Sequence, residues 1–303
     1  MKKNIVILGA TGFIGRAVAG FFHDSKHVNL FLASKKGGKL NSLMVHPLDL
    51  TKQNSLANWP QEKKIDCIIY LSSMIPASFD ESDLKLFYLN IRMHQQVLKY
   101  WLSKKCHLIY ASSCSVYGRA MSTRVSEATV PLPDNYYAIS KLIGEHIFLK
   151  EFYEKGRPVT VLRINAPYGY KKERKTVVNI FLEKALRGEP LELMGSGKRE
   201  QDFIYADDVA RAFWAALVNK KYGVFNIASG HSVTMRQLAK LIVQTVHSSS
   251  DITFARQPDP QQRVKVKIDI KRSQNELSFE LKYSLKDGLR EMAALYSREE
   301  LSK

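Results

Sequence analysis

The chain has 303 residues, 45% of them hydrophobic and 25% charged, with a formal net charge of +17 and three cysteines. That balance excludes a disordered chain and a disulfide-stapled secreted scaffold, and no apolar run reaches the ~18 residues needed to span a bilayer. The charge admits nucleic acid as a partner, but the densest basic cluster is only Lys171-Lys172-Glu173-Arg174-Lys175, so a small anionic substrate is expected and nucleic acid is not.

The N-terminus runs from Met1 through two lysines into a short apolar stretch, too short for a signal peptide and without a small-residue cleavage site. Cys67, Cys106 and Cys114 lack metal-like spacing. They read as free thiols in a reducing, cytoplasmic setting, with no metal.

The first predicted unit is "NIVILGATGFIGRAVAGFF", an apolar strand, a glycine-rich turn and an amphipathic helix. Gly9, Gly12 and Gly15 stand three apart directly after the strand and open the helix. A helix N-terminus with free N–H groups and a favourable dipole holds a pyrophosphate, and the glycines make room for it.

The next strand, "VNLFLA", ends at Ala33 and is followed by Ser34, Lys35 and Lys36. An acidic residue at this point would take the ribose hydroxyls of NAD. A hydroxyl and two ammonium groups suit a 2′-phosphate better, so NADP is expected in preference to NAD. In "LDL", Asp49 is placed to meet the adenine amino group.

Strands are predicted at residues 66–73 ("DCIIYLSS") and 106–118 ("CHLIYASSCSVYG"), with a helix at 86–103 between them. Alternating strands and helices give a parallel, doubly wound sheet. "NYYAISKLIGEHIF" (residues 135–148) reads as a helix behind an N-cap at Asp134 or Asn135. Side chains four apart share a helix face, which pairs Tyr137 with Lys141 and turns Tyr136 about 100° away. A free phenol has a pKa of ~10, and a nearby ammonium favours the phenolate, so the pair forms an acid/base device.

The chain resembles the extended short-chain dehydrogenase/reductase family, the NAD-dependent epimerase/dehydratase group, in its nucleotide-sugar branch. The motifs are "GATGFIG", "YLSS", Asn90, "SSCSVYG", "YAISK", "RINAPYG", "QDFIYADD" and "FNIASG", and they run nearly the whole length. The resemblance implies an α/β fold: a Rossmann-like doubly wound parallel sheet with a smaller C-terminal α/β substrate lobe. Residues 1–165 and 204–228 would form the dinucleotide unit, and 166–203 and 229–303 the lobe.

The resemblance further implies a catalytic triad of Ser113, Tyr137 and Lys141, with Ser113 also touching the sugar and Lys141 the nicotinamide ribose. Thr11, Phe13, Ile14, Leu50, Leu71, Ser72 and Ser73 would contact the cofactor beside the glycines, and Asn90 would support the lysine region. Asn165 would meet the diphosphate of a nucleotide-diphosphate sugar. The family often has an arginine directly before Asp-Phe; here that place holds Gln201, so Arg199 and Arg263 become the candidate clamps. Dehydratase members carry Asp and Glu after the active Ser or Thr. Cys114 and Ser115 stand there instead, which argues against a 4,6-dehydratase and leaves Cys114 as a minor candidate thiol.

The implied chemistry is hydride transfer at a sugar carbon: a 4-keto sugar reductase is favoured, with an epimerase that recycles its cofactor as the alternative. A non-enzymatic NADP-binding regulator is a further alternative, although such relatives typically lack the tyrosine retained here. Asp207 and Asp208 are expected to cap a helix. A homodimer through helices near 86–103 and 136–154 is also implied.

Overall fold

The computed structural model describes residues 2–57, 59–60, 64–76, 84–122, 124–170, 176–259 and 265–300. In chain order the elements are β1 (Lys3–Leu8), α1 (Phe13–His23), β2 (Val28–Ser34), β3 (Gly38–Leu40), β4 (Leu43–Pro47), β5 (Cys67–Tyr70), α2 (Leu84–Lys104) and β6 (His107–Ser113). A 3-10 stretch (Cys114–Ser122), β7 (Arg124–Val125), α3 (Tyr136–Lys155), β8 (Val159–Ile164), β9 (Pro167–Tyr168) and α4 (Val177–Leu186) follow. The remainder is β10 (Leu191–Leu193), β11 (Glu200–Asp202), β12 (Ile204–Tyr205), α5 (Ala206–Asn219), β13 (Gly223–Ile227), β14 (Ser232–Thr234), α6 (Met235–Thr245), β15 (Ile252–Phe254), β16 (Lys267–Ile268), α7 (Lys271–Leu277) and α8 (Leu285–Glu300).

One eight-stranded sheet dominates, in the order β13-β8-β6-β5-β1-β2-β4-β3. Every pairing in it is parallel except that of β3 with β4. The fold is therefore the expected doubly wound α/β sheet. Its order reverses between β1 and β5, and ligands bind such sheets beyond the carboxyl ends of the strands at that crevice.

Both faces of the sheet are covered, which is why the strands read as continuous apolar runs rather than alternating ones. Ile5 and Ile7 pack with Val18 and Phe22 of α1 and with Val209 and Phe213 of α5. Val6 and Leu8 point to the other face, with Val97 and Trp101 of α2 and Phe148 of α3. A separate cluster joins α4, α6 and α8 through Leu182, Leu238 and Leu289. Leu277 and Phe279, late in the chain, belong to the sheet core. Among the described residues, no helix is long and apolar enough to cross a membrane.

Two local expectations are corrected. The strand predicted over 106–118 ends at Ser113, because the Ser113 hydroxyl oxygen accepts from Ser115 N at 3.1 Å and the chain turns into the 3-10 stretch. Asp207 and Asp208 do not cap α5: its N-cap is Tyr205, and both aspartates lie in the first turn. Asp208 instead accepts from the backbone N–H groups of Lys282 and Tyr283, at 2.9 and 3.1 Å.

Candidate active site

A cavity of about 410 Å³ opens at the carboxyl ends of the central strands. Its floor is the turn between β1 and α1: Gly9, Thr11, Gly12, Phe13, Ile14 and Gly15 all line it. Gly9 has φ +96, and a Cβ there would lie 2.8 Å from Ser72 N, so only glycine fits. A Cβ on Gly15 would lie 2.1 Å from the carbonyl oxygen of Gly9, so its absence lets α1 start against the turn. Gly12 caps α1 without a side chain, and the first turn carries no acidic residue. The N-terminal N–H groups are thus presented as an anion site.

One end of the cavity is formed by Ser34, Lys35, Asp49 and Leu50, and the opposite wall by Leu71, Ser72 and Ser73. β2 runs one residue beyond the expected Ala33, so Ser34 closes the strand. Its hydroxyl is buried and has no hydrogen-bond partner among the described residues. Lys35 Nζ stands 3.5 Å from Asp49 Oδ2, and Asp49 also accepts from the Thr51 hydroxyl and amide. Burial works against the Asp49 charge, but these donors hold its carboxyl below the usual range. Lys36 is exposed.

Tyr137 and Lys141 line the same cavity from α3. The helix begins where the sequence placed it: Asn135 is the N-cap, its side-chain oxygen accepting from Ala138 N at 2.9 Å. Tyr136 turns away and packs 5.9 Å from the Phe87 ring. Ser113, at the end of β6, accepts from the Ser115 hydroxyl at 2.9 Å and hydrogen-bonds the Tyr137 phenol. Lys141 is buried, donates to the carbonyl oxygen of Ala111 at 2.9 Å, and lies 5.8 Å from the centre of the Tyr137 ring.

The electrostatics differ from the expectation that the ammonium would lower the phenol. Burial pushes Tyr137 up to about 12, against the opposing Ser113 hydrogen bond. Burial likewise brings Lys141 down to about 7, with Glu145 opposing. Desolvation disfavours both charged forms at once. The pair is therefore poised with a protonated phenol and a lysine that gains and loses its proton near neutrality.

Beneath it lies a network the sequence reading missed. Glu145, four residues after Lys141 on α3, is 1% exposed. It accepts from the Ser112 hydroxyl and from Arg163, whose Nε and Nη2 approach it at 3.0 and 2.7 Å. The four-residue spacing that selected Tyr137 and Lys141 continues to Glu145 and is the signal that would have found it.

Other named residues sit elsewhere. Asn90 does not line the cavity. It accepts from Met74 N and donates to Met74 O and the Ser140 hydroxyl, bracing the strand end and α3. Asn165 is buried and donates to the carbonyl oxygen of Asp202 at 2.6 Å. Arg199 Nε is 3.6 Å from Asp259 Oδ2. Neither Asn165 nor Arg199 lines the cavity, and Arg263 lies outside the described residues. Cys114 is fully buried, donates its thiol to the carbonyl oxygen of Arg163, and is pushed well up by burial, so it is not a thiolate facing the site.

The model of the NAD dependent epimerase/dehydratase family matches residues 5–228. The dTDP-4-dehydro-6-deoxyglucose reductase of Escherichia coli is 28% identical, over 95% of this chain and 96% of its own. The UDP-N-acetyl-alpha-D-glucosaminuronate decarboxylase of Bacillus cytotoxicus is 27% identical over 83% of each chain. The solved UDP-glucose 4-epimerase of Thermotoga maritima, with UDP-glucose, superimposes with a TM-score of 0.86 at 25% identity, covering 98% of this chain and 99% of its own.

Proposed function

Because the chain belongs to the NAD dependent epimerase/dehydratase family, we propose that it is a nucleotide-sugar oxidoreductase working on a nucleotide-diphosphate sugar, and specifically a 4-keto sugar reductase that uses NADPH. The carrying observation is the Tyr137 phenol, hydrogen-bonded to Ser113, on the wall of the cavity of about 410 Å³ with Lys141 one helical turn away.

The residues fit the cofactor. The cradle at Gly9 is one a Cβ would fill, and the buried Ser34 hydroxyl lacks a protein partner among the described residues. The turn from Gly9 to Gly15 would hold the pyrophosphate, Ser34 and Lys35 the adenosine ribose end, and Lys141 the nicotinamide ribose. When bound, the nicotinamide supplies the hydride. Tyr137 gives its proton to the sugar oxygen, and Ser113 holds that oxygen in place. Lys141, brought down to about 7 by burial, gains and loses its own proton one helical turn away. Asn165 and Arg199 remain our candidates for the diphosphate.

Lys35 at the cavity rim supports NADPH, and the near end-to-end match with the Escherichia coli reductase supports reduction. The likeness to the Thermotoga maritima epimerase supports a second reading, in which a retained cofactor epimerises the sugar. Neither Cys114 nor Ser115 supplies the carboxylates a dehydratase would use. The experiment is to mix the protein with NADPH and dTDP-4-dehydro-6-deoxyglucose and follow absorbance at the nicotinamide band. Oxidation is expected, with loss in Tyr137→Phe. Stoichiometric nucleotide released on denaturation, with interconversion of UDP-glucose and no net NADPH oxidation, would favour the epimerase. Equal turnover in Tyr137→Phe would sink both.

A further inference from the structure

His94 lies on α2, one turn after Asn90, and is 1% exposed. Its Nε2 is 3.0 Å from the carbonyl oxygen of Ser140, and its Nδ1 is 2.9 Å from the Tyr70 hydroxyl. A carbonyl oxygen only accepts, so Nε2 carries the proton and Nδ1 accepts from Tyr70. That tautomer requires a neutral ring. Burial first, and the charge of Lys141 second, keep it neutral, drawing its pKa down to about 3.

Ser140 immediately precedes Lys141. Asn90 donates to its hydroxyl at 3.1 Å, that hydroxyl donates to the Tyr137 carbonyl at 2.7 Å, and His94 holds its own carbonyl. Room for the contact comes from Gly144, where a Cβ would lie 3.0 Å from His94 Nε2 and 2.5 Å from the Tyr110 hydroxyl. Tyr110 and Phe148 enclose the imidazole with ring centres 5.6 and 6.1 Å away. Both the carbonyl and the imidazole are therefore sealed from water, where a misplaced polar group is costly.

We propose that His94, oriented by Tyr70, is a positioning residue: by holding the Ser140 carbonyl it sets the height of Lys141 on α3 relative to β6, and so where the ammonium meets the nicotinamide ribose. This rests on the proposed role of Lys141. His94 touches neither cofactor nor substrate.

The test compares the full-length wild type with His94→Leu, His94→Gln and Tyr70→Phe. Affinities for NADPH and NADH are measured beside that for ADP, which lacks the nicotinamide half. His94→Leu should bind the better dinucleotide about tenfold more weakly, the order of one lost hydrogen bond, and bind ADP as the wild type does. Glutamine offers one donor and one acceptor and should restore the dinucleotide to within about twofold. If His94→Leu does not fold, Tyr70→Phe carries the test, with a loss of about threefold for the dinucleotide alone. Equal weakening of ADP, no weakening in either variant, or glutamine as poor as leucine would each overturn the assignment. Turnover by Tyr137→Phe is scored separately and bears on the reading of the site, not on the brace.

Discussion

Lys141 donates to the carbonyl oxygen of Ala111 at 2.9 Å, so the side chain we propose for the chemistry also ties α3 to β6. It does so from a position that penalises its own charge.

The folded lysine titrates near 7 rather than at its ordinary ~10.4. The folded state thus binds fewer protons than the unfolded one between those values. Its stability therefore falls as pH drops from about 10 toward 7. Lys141→Met should therefore lose turnover by about 10²-fold or more yet melt several degrees higher at pH 7. The advantage should shrink at pH 9, where wild-type lysine is closer to neutral. Melts at both pH values check this; a variant that melts lower at pH 7 would contradict it.

Lys35 is 65% exposed at its side chain and, among the described residues, is held only by Asp49 at 3.5 Å, so it can turn toward a 2′-phosphate. Lys35→Ala should weaken NADPH binding by up to about fivefold, the upper range for an exposed ion pair, and leave NADH unchanged. Fluorescence titrations with both cofactors decide. Equal loss for the two would mean that Lys35 does not read the phosphate.

Glu145 and Arg163 are 2% and 6% exposed at their side chains. Among the described residues, Arg163 Nη1 has no hydrogen-bond partner, so the glutamate is its main compensation. Glu145→Gln should cost on the order of 3 kcal/mol, as expected for breaking a buried pair from one side. Replacing both by apolar residues should cost less than the sum of the single changes. Chemical denaturation of the four proteins in the cycle measures the coupling.

α2 exposes Leu84 (46%) and Tyr88 (65%) four residues apart, and α3 exposes Tyr153 (71%). The proposed homodimer would cover such side chains, since monomers seldom leave apolar patches open. Light scattering should give twice the 34.6 kDa chain mass. Tyr88→Lys should halve it if this face is the contact.

Most of the glycine turn and of α3 was legible because both are local. Gly9, Gly12 and Gly15 obey a spacing that a single strand–turn–helix imposes, and helical phase alone separates Tyr137 from Tyr136. What escaped depends on distant partners. The Ser113 turn is set by a side-chain hydrogen bond, Asp208 is spoken for by backbone more than 70 positions later, and His94 acquires its meaning only when α2 meets β5 and α3. The low pKa of Lys141 is likewise a property of its burial, which no i,i+4 rule contains.

The contact between Asp208 and residues 282–283 bears on whether the protein can be dissected. The sheet is complete at Ile227, which invites a cut there to obtain a freestanding cofactor-binding module. Such a fragment would retain Asp208, 0% exposed in the whole chain, without the two N–H groups that oppose the effect of burial on its carboxyl. It would also lack Leu277 and Phe279 from the sheet core. The eight-stranded sheet is continuous, but its core is not one stretch of chain, and a fusion or minimal scaffold drawn from it must carry residues 277–283 along.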